Sequence, residues 1–158
     1  MPIRLPRLIA LFLFLFLTFT AAWVGSRFMP DAWYAALNKP SWTPPNWLFA
    51  PVWSTLYIMI AVAGWQVWCR VDRLTHPALL AWLGQLLLNG MWTWLFFGLH
   101  ELVWALADIL LLLMVIAGFI RAAGVVKRMA GWLFVAYFVW VSYATALTAA
   151  IVWLNPGA

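Results

Sequence analysis

Trp33–Tyr57 reads WYAALNKPSWTPPNWLFAPVWSTLY, and these 25 residues hold four of the chain's fourteen tryptophans and four of its nine prolines. Proline fixes φ and cannot extend a helix interior, so Pro40, Pro44 and Pro45 describe a stiff, ordered loop. A flexible linker would be rich in glycine and serine instead. Tryptophan joins a large apolar ring to one N–H donor, which suits it to membrane interfaces and to flat ligands. From Asn46 onward the segment enters a long apolar run, and another such run precedes it. The expectation is a rigid aromatic cap over a bundle of helices.

Composition says which kind of bundle. Of 158 residues, 68% are hydrophobic and 8% charged, against roughly 45–50% and 25% for an ordinary soluble domain. A chain of this length cannot hide so much apolar surface from water, so an all-α integral membrane protein is expected. A bilayer core needs about 20 apolar residues per helix. Five runs meet that need, at 5–26, 46–69, 78–98, 102–120 and 129–154, with a capping loop at 27–45. They are expected to form one domain over 1–158 with no soluble appendage. RVDRLTHP, GLHE and RAAGVVKR punctuate the later runs. Arg4 and Arg7 ahead of the first run also fit a cleavable secretory signal. That run continues through Trp23 and Val24, long enough to span, so it is read as a retained first helix.

The net charge of +5 comes from scattered basic residues, with no basic helix face or strand platform. No nucleic-acid partner is expected. Such charges orient spans in the membrane. Arg4, Arg7, Arg70, Arg73, Arg121, Lys127 and Arg128 fall on one side, and only Arg27 and Lys39 on the other. In a bacterial inner membrane this places the N-terminus in the cytoplasm and the first loop outside. The single Cys69 excludes an internal disulfide, and His76, His100 and Cys69 approach no metal-ligand spacing. No metal site is expected.

Polar groups at membrane depth are costly and usually face a bundle interior. Gln85, Asn89, Trp92 and Phe96 share one face of the third run. They fit a pocket wall with an amide for a ligand's polar atom, or an interhelical hydrogen bond that glues neighbours together. Asp108 fits structural pairing with Trp or Tyr donors better than a proton relay, because no second embedded charge accompanies it. Phe49, Trp53 and Tyr57 repeat at i, i+4, i+8, and Tyr137, Trp140 and Ala144 share a face of the last run. Aromatic stripes are commonly core or lipid-facing. Here their polar tips want partners, and Ala144 leaves a gap beside Trp140. A groove walled by rings and floored by a small residue would accept a planar molecule.

Several of these residues together resemble a known family. Trp33-Tyr34, the run Leu37-Asn38-Lys39-Pro40-Ser41-Trp42-Thr43-Pro44-Pro45, and Trp53 with Leu56-Tyr57 look like the first-loop and second-helix signature of the translocator protein family, also called the tryptophan-rich sensory proteins or peripheral-type benzodiazepine receptors. Gln85-Leu86 through Asn89, Trp92 and Phe96-Phe97-Gly98 is similar to that family's third helix. Tyr137-Phe138-Val139-Trp140, Ala144-Thr145 and Leu147 is similar to its fifth.

The resemblance implies a five-helix bundle, commonly a homodimer, whose first loop closes over a pocket. It implies binding of tetrapyrroles such as protoporphyrin IX or haem-related molecules, with no required cofactor, and a receptor or sensor role in tetrapyrrole metabolism or stress. Pocket positions carried over by match are Tyr34, Trp53, Asn89, Trp140 and Ala144; Phe49, Tyr57 and Trp92 join them from the helical stripes. Arg27 or Lys39 is placed to meet a propionate. Some relatives degrade protoporphyrin in light, and the two tryptophans implicated there match Trp53 and Trp140. No Ser–His–acid set, metal cluster or nucleotide loop offers ordinary catalysis a seat. Transport of porphyrin or lipid is a further alternative, though the internal repeats and broken helices of common transporters are absent from the pattern. Departures from the family also appear. Ala149 and Trp153 stand where a cholesterol-consensus segment needs Tyr and Arg, which argues against sterol recognition by that route. Gly84 and Gly90 are six residues apart and make no G-xxx-G dimer face.

Overall fold

In the computed structural model, residues 6–28, 30–71 and 73–157 are described, and every regular element among them is helical. α1 spans Arg7–Gly25, α2 is the short loop helix Ala32–Ala36, and a 3₁₀ turn at Asn46–Leu48 leads into α3, Phe49–Trp68. α4 runs Pro77–Thr93 and continues through a π turn at Trp94–Gly98. α5 covers Leu102–Val126 and α6 covers Arg128–Leu154. Leu5, the first residue of the span expected at 5–26, and Arg4 ahead of it lie outside the described residues.

Local chemistry explains most boundaries. Pro77 sits in the first turn of α4, where its missing N–H costs nothing. His76 caps that helix, its Nδ1 accepting from the Ala78 N–H at 3.2 Å. The fourth span departs from expectation. RAAGVVKR is not a loop: α5 continues through Arg121 to Val126, and Lys127 alone, at φ −153° and ψ 104°, turns the chain into α6. Ala122 and Ala123 favour helix. Gly124 tells against it by about 1 kcal/mol relative to alanine, yet it stays helical because α6 packs onto it. A Cβ on Gly131 would lie 3.3 Å from the Gly124 Cα.

Among the described residues, five helices are long and apolar enough to cross a membrane. Contacts arrange them in a ring, α1–α3–α6–α5–α4, which closes between α4 and α1. The interior is sealed by Trp82, Phe119, Phe134, Ile60 and Leu112, while Leu87, Val125, Trp132 and Trp153 stand exposed on the outer face. An apolar interior within an apolar exterior is stable only in lipid. The protein is a multi-pass, all-α integral membrane protein. The Trp82 indole donates to the Ile60 carbonyl at 2.8 Å and packs edge-on to Phe14, with ring centres 4.7 Å apart. Gly64 makes room for both: a Cβ there would lie 2.8 Å from Phe14 Cδ1 and closer still to the indole.

Candidate functional site

At the end of the bundle covered by the first loop, the helices part around a cavity of about 480 Å³. Size alternation along the helices creates it. Trp53 and Phe49 on α3, Trp92 and Phe96 near the end of α4, and Trp140 on α6 supply flat walls. Ala22 and Gly25 on α1, Ala50 on α3 and Ala144 on α6 leave the space between them. The walls brace one another: Trp53 stacks on Tyr57 at 5.4 Å, Trp92 on Phe96 at 5.1 Å, and Phe49 meets Trp140 edge-on at 6.0 Å. Buried Tyr34, from the loop, closes the top against Phe96 and Phe97. Seven expected residues therefore meet at one cavity: Tyr34, Phe49, Trp53, Tyr57, Trp92, Trp140 and Ala144.

Asn89 does not line it. The residue is 6% exposed, and its amide is committed in both directions. Its Oδ1 accepts from the Tyr57 hydroxyl at 3.0 Å, and its Nδ2 donates to the Tyr137 oxygen at 3.1 Å. Of the two readings offered for this face, the interhelical bond holds at Asn89: the amide ties α3, α4 and α6 together beneath the cavity. Gln85 is fully buried deeper still, its Nε2 donating to the Trp82 carbonyl at 3.0 Å. Asp108 is also buried, yet its Oδ2 finds no hydrogen-bond partner, so the expected pairing with a Trp or Tyr donor is not made through that atom.

The cavity's own polar atoms are few. Thr148 donates to the Ala144 carbonyl and Thr93 to the Asn89 carbonyl, so both hydroxyl hydrogens are used within their helices. By contrast, the indole Nε1 groups of Trp92 and Trp140 are buried with no acceptor among the described residues. An orphaned buried donor costs about 1–3 kcal/mol. Neither nitrogen is exposed to the open space of the cavity, so the two rings offer it apolar surface.

The loop is held down by a network that sequence reading did not anticipate. Asp31 caps α2, its Oδ1 accepting from the Tyr34 N–H at 3.1 Å. That hydrogen bond, helped by nearby His100, lowers the Asp31 pKa from its ordinary value. His100 lies 3.3 Å from Asp31 through Nε2 and stacks on Trp33 at 4.0 Å, from a left-handed backbone at φ 60°. Asn155, just past α6, exchanges two 2.9 Å hydrogen bonds with the backbone of Asn38, and the Tyr143 hydroxyl donates to the Trp42 carbonyl at 2.7 Å. The two cations expected to face a propionate are otherwise placed. Lys39 Nζ donates to the carbonyls of Tyr34, Leu37 and Ala35 at 2.6, 3.0 and 3.2 Å and caps the end of α2. An ammonium has three hydrogens, so Lys39 is fully spent. Arg27 sits over the Trp23 ring at 5.6 Å. Sequence reading also passed over Leu147 and Ile151 as lining residues, although they continue the Trp140–Ala144 face at helical spacing. Among the described residues, no group of His, Cys, Asp and Glu is placed to hold a metal ion.

This arrangement has relatives. The model of the TspO/MBR family matches residues 11–154. The chain is 39% identical to protein CrtK of Rhodobacter capsulatus over 135 residues, 84% of each chain. It is 38% identical to the human translocator protein over 130 residues, covering 78% of this chain and 77% of that one. It is 37% identical to the tryptophan-rich sensory protein of Cereibacter sphaeroides over 146 residues, 89% and 91% of the two chains. By the family model over residues 11–154 and by likeness to these relatives over most of its length, this chain belongs to the TspO/MBR family.

Proposed function

We propose that the protein is a membrane receptor that binds tetrapyrroles of the protoporphyrin IX kind in the loop-covered cavity and signals their level. The observation that carries this reading is an apolar, ring-walled cavity of about 480 Å³ that Tyr34 of the first loop helps to close. Pockets for small molecules commonly fall in the range of about 300–1,000 Å³ and pair apolar walls with a few polar groups. A flat macrocycle would stack between Trp53 and Trp140. Its carboxylate arms would point toward the loop and water. Signalling needs only that ligand binding favours one arrangement of the loop over another. With the basic ends of the spans in the cytoplasm, that loop would face outward.

A second reading, light-driven breakdown of a bound porphyrin, is favoured by Trp53 and Trp140 lining the same cavity, where an excited ring would find an oxidisable indole on either side. The test of both is titration of the purified protein with protoporphyrin IX, following tryptophan quenching in the dark and loss of porphyrin absorbance under illumination. Saturable dark binding that is weakened by Trp140→Ala and spared by Trp104→Phe, an exposed site outside the cavity, supports the receptor. Absence of saturable binding, or equal effects of the two changes, overturns it. Absorbance loss that is independent of Trp53 and Trp140 removes the second reading.

A further inference from the structure

The opposite end of the bundle carries a second hollow. Between α5 and α6 lies a groove of about 270 Å³ lined by Ile120, Gly124, Arg128, Gly131, Trp132 and Val135. We propose that this groove is a binding site for an anionic phospholipid, with an acyl chain over Gly124 and the phosphate at Arg128.

The two glycines do different jobs. Gly131 lets the helices touch, since a Cβ there would lie 3.3 Å from the Gly124 Cα and 3.4 Å from the Ile120 carbonyl oxygen. A Cβ on Gly124 would meet nothing within 4 Å, so the missing side chain leaves a hollow on the outer face. That face belongs to lipid: Trp132 is 65% and Val125 90% exposed. The occupant is therefore drawn from the membrane, and the floor it meets is apolar.

Charge selects which lipid. Arg128 lines the groove, Lys127 precedes it, and Arg121 stands one turn before Gly124 on α5. Among the described acids, Asp31 and Glu101 lie at the loop end of the bundle, and Asp108 is buried in the loop-side half of α5. Asp72 lies outside the described residues. Arg128 is also the first residue of α6, whose first turn receives no side-chain cap. A phosphate placed there meets the Arg128 guanidinium. Trp132, four residues on, sits where an indole favours the headgroup boundary. A second copy of this chain fits less well, because a two-fold contact through the groove would set like cations against each other.

Native mass spectrometry of the detergent-solubilised protein tests this, with phosphatidylglycerol and phosphatidylcholine as probes. The expected result is one saturable phosphatidylglycerol adduct, at least about tenfold tighter than phosphatidylcholine and not displaced by excess inorganic phosphate. Gly124→Leu, whose Cβ meets nothing within 4 Å and whose branches would fill the hollow, should abolish it. Arg128→Gln should weaken it about fivefold, Arg128→Lys should restore most of it, and Arg70→Gln, outside the groove, should leave it unchanged. The proposal fails if Gly124→Leu keeps wild-type affinity, if Arg70→Gln costs as much as Arg128→Gln, if the two lipids bind alike, or if inorganic phosphate competes. It also fails if Gly124→Leu only dissociates a dimer and leaves the adduct intact. Circular dichroism confirms the fold of each variant, and the arginine pair decides the matter even if Gly124→Leu does not fold.

Discussion

The two halves of the bundle are equally apolar, yet one is sealed and the other hollow. In the sealed half, Phe119 stacks on Phe134 with centres 3.7 Å apart, and Trp82 fills the space that Gly64 yields. In the hollow half, large rings oppose small residues without filling the gap, so Trp53 and Trp140 border a cavity beside Ala22, Ala50 and Ala144. Between them lies the Tyr57–Asn89–Tyr137 hydrogen-bond seam. Hydrophobicity places every one of these side chains away from water. Only the matching of sizes across helices decides whether a cavity remains.

The comparison breaks most visibly in the sealed half. Trp82→Ala should destabilise the protein by about 3–5 kcal/mol, the usual cost of emptying a packed aromatic site, and it also removes the indole's hydrogen bond to the Ile60 carbonyl. The measurement is the thermal midpoint in detergent, which should fall steeply and take ligand binding with it. In the hollow half the same kind of volume change should act in reverse. Ala144→Leu fills space instead of emptying it, so stability should hold while tetrapyrrole affinity falls about 10- to 100-fold, the equivalent of about 1–3 kcal/mol of steric cost. If Ala144→Leu unfolds the protein, the cavity is a packed core and the contrast between halves is lost.

Asn89 sharpens the boundary. Asn89→Leu leaves the Tyr57 and Tyr137 hydroxyls without their shared partner, at about 1–3 kcal/mol of stability. Because the amide lies beneath the cavity, affinity for a bound macrocycle should change less than about threefold. A loss of affinity as large as that of Ala144→Leu would make Asn89 a ligand contact after all.

Much of this was legible in the sequence, and the illegible part has a physical cause. Helix period and run length give the five spans, because lipid demands long apolar helices with all backbone hydrogen bonds made internally. Stripes such as Phe49–Trp53–Tyr57 point at one face, and that face does border the cavity. What periodicity cannot report is a partner on another helix. Asn89 looks the same on paper whether it faces a ligand or two tyrosines. Gly124 reads as punctuation until Gly131 is known to pack against it. Position in the loop suits Lys39 to a propionate, but the tight end of α2 presents three carbonyls to it at once. Asn155 pins a loop more than a hundred residues upstream, which no local pattern encodes.

The smallest expected effect concerns the latch that holds the loop over the hollow half. Asp31 both caps α2 and pairs with His100, and the two roles separate in Asp31→Asn. Asparagine caps a helix about as well as aspartate, so only the charge pairing is lost. Exposed ion pairs contribute little, and ligand dissociation measured by stopped-flow quenching should quicken by less than about twofold. The pH dependence follows from the lowered Asp31 pKa, caused first by the Tyr34 N–H it accepts and then by His100. A carboxylate with a depressed folded-state pKa stabilises the closed loop above its unfolded value, near 4, and loses that contribution as pH falls through the folded one. The wild-type loop should therefore loosen only under strongly acidic conditions, and Asp31→Asn should flatten that part of the profile. A wild-type rate that already rises between pH 7 and pH 5 would place the control in another group. The steep fall of the Trp82 variant and the slight shift of this one would then no longer bracket a rigid half and an adjustable one.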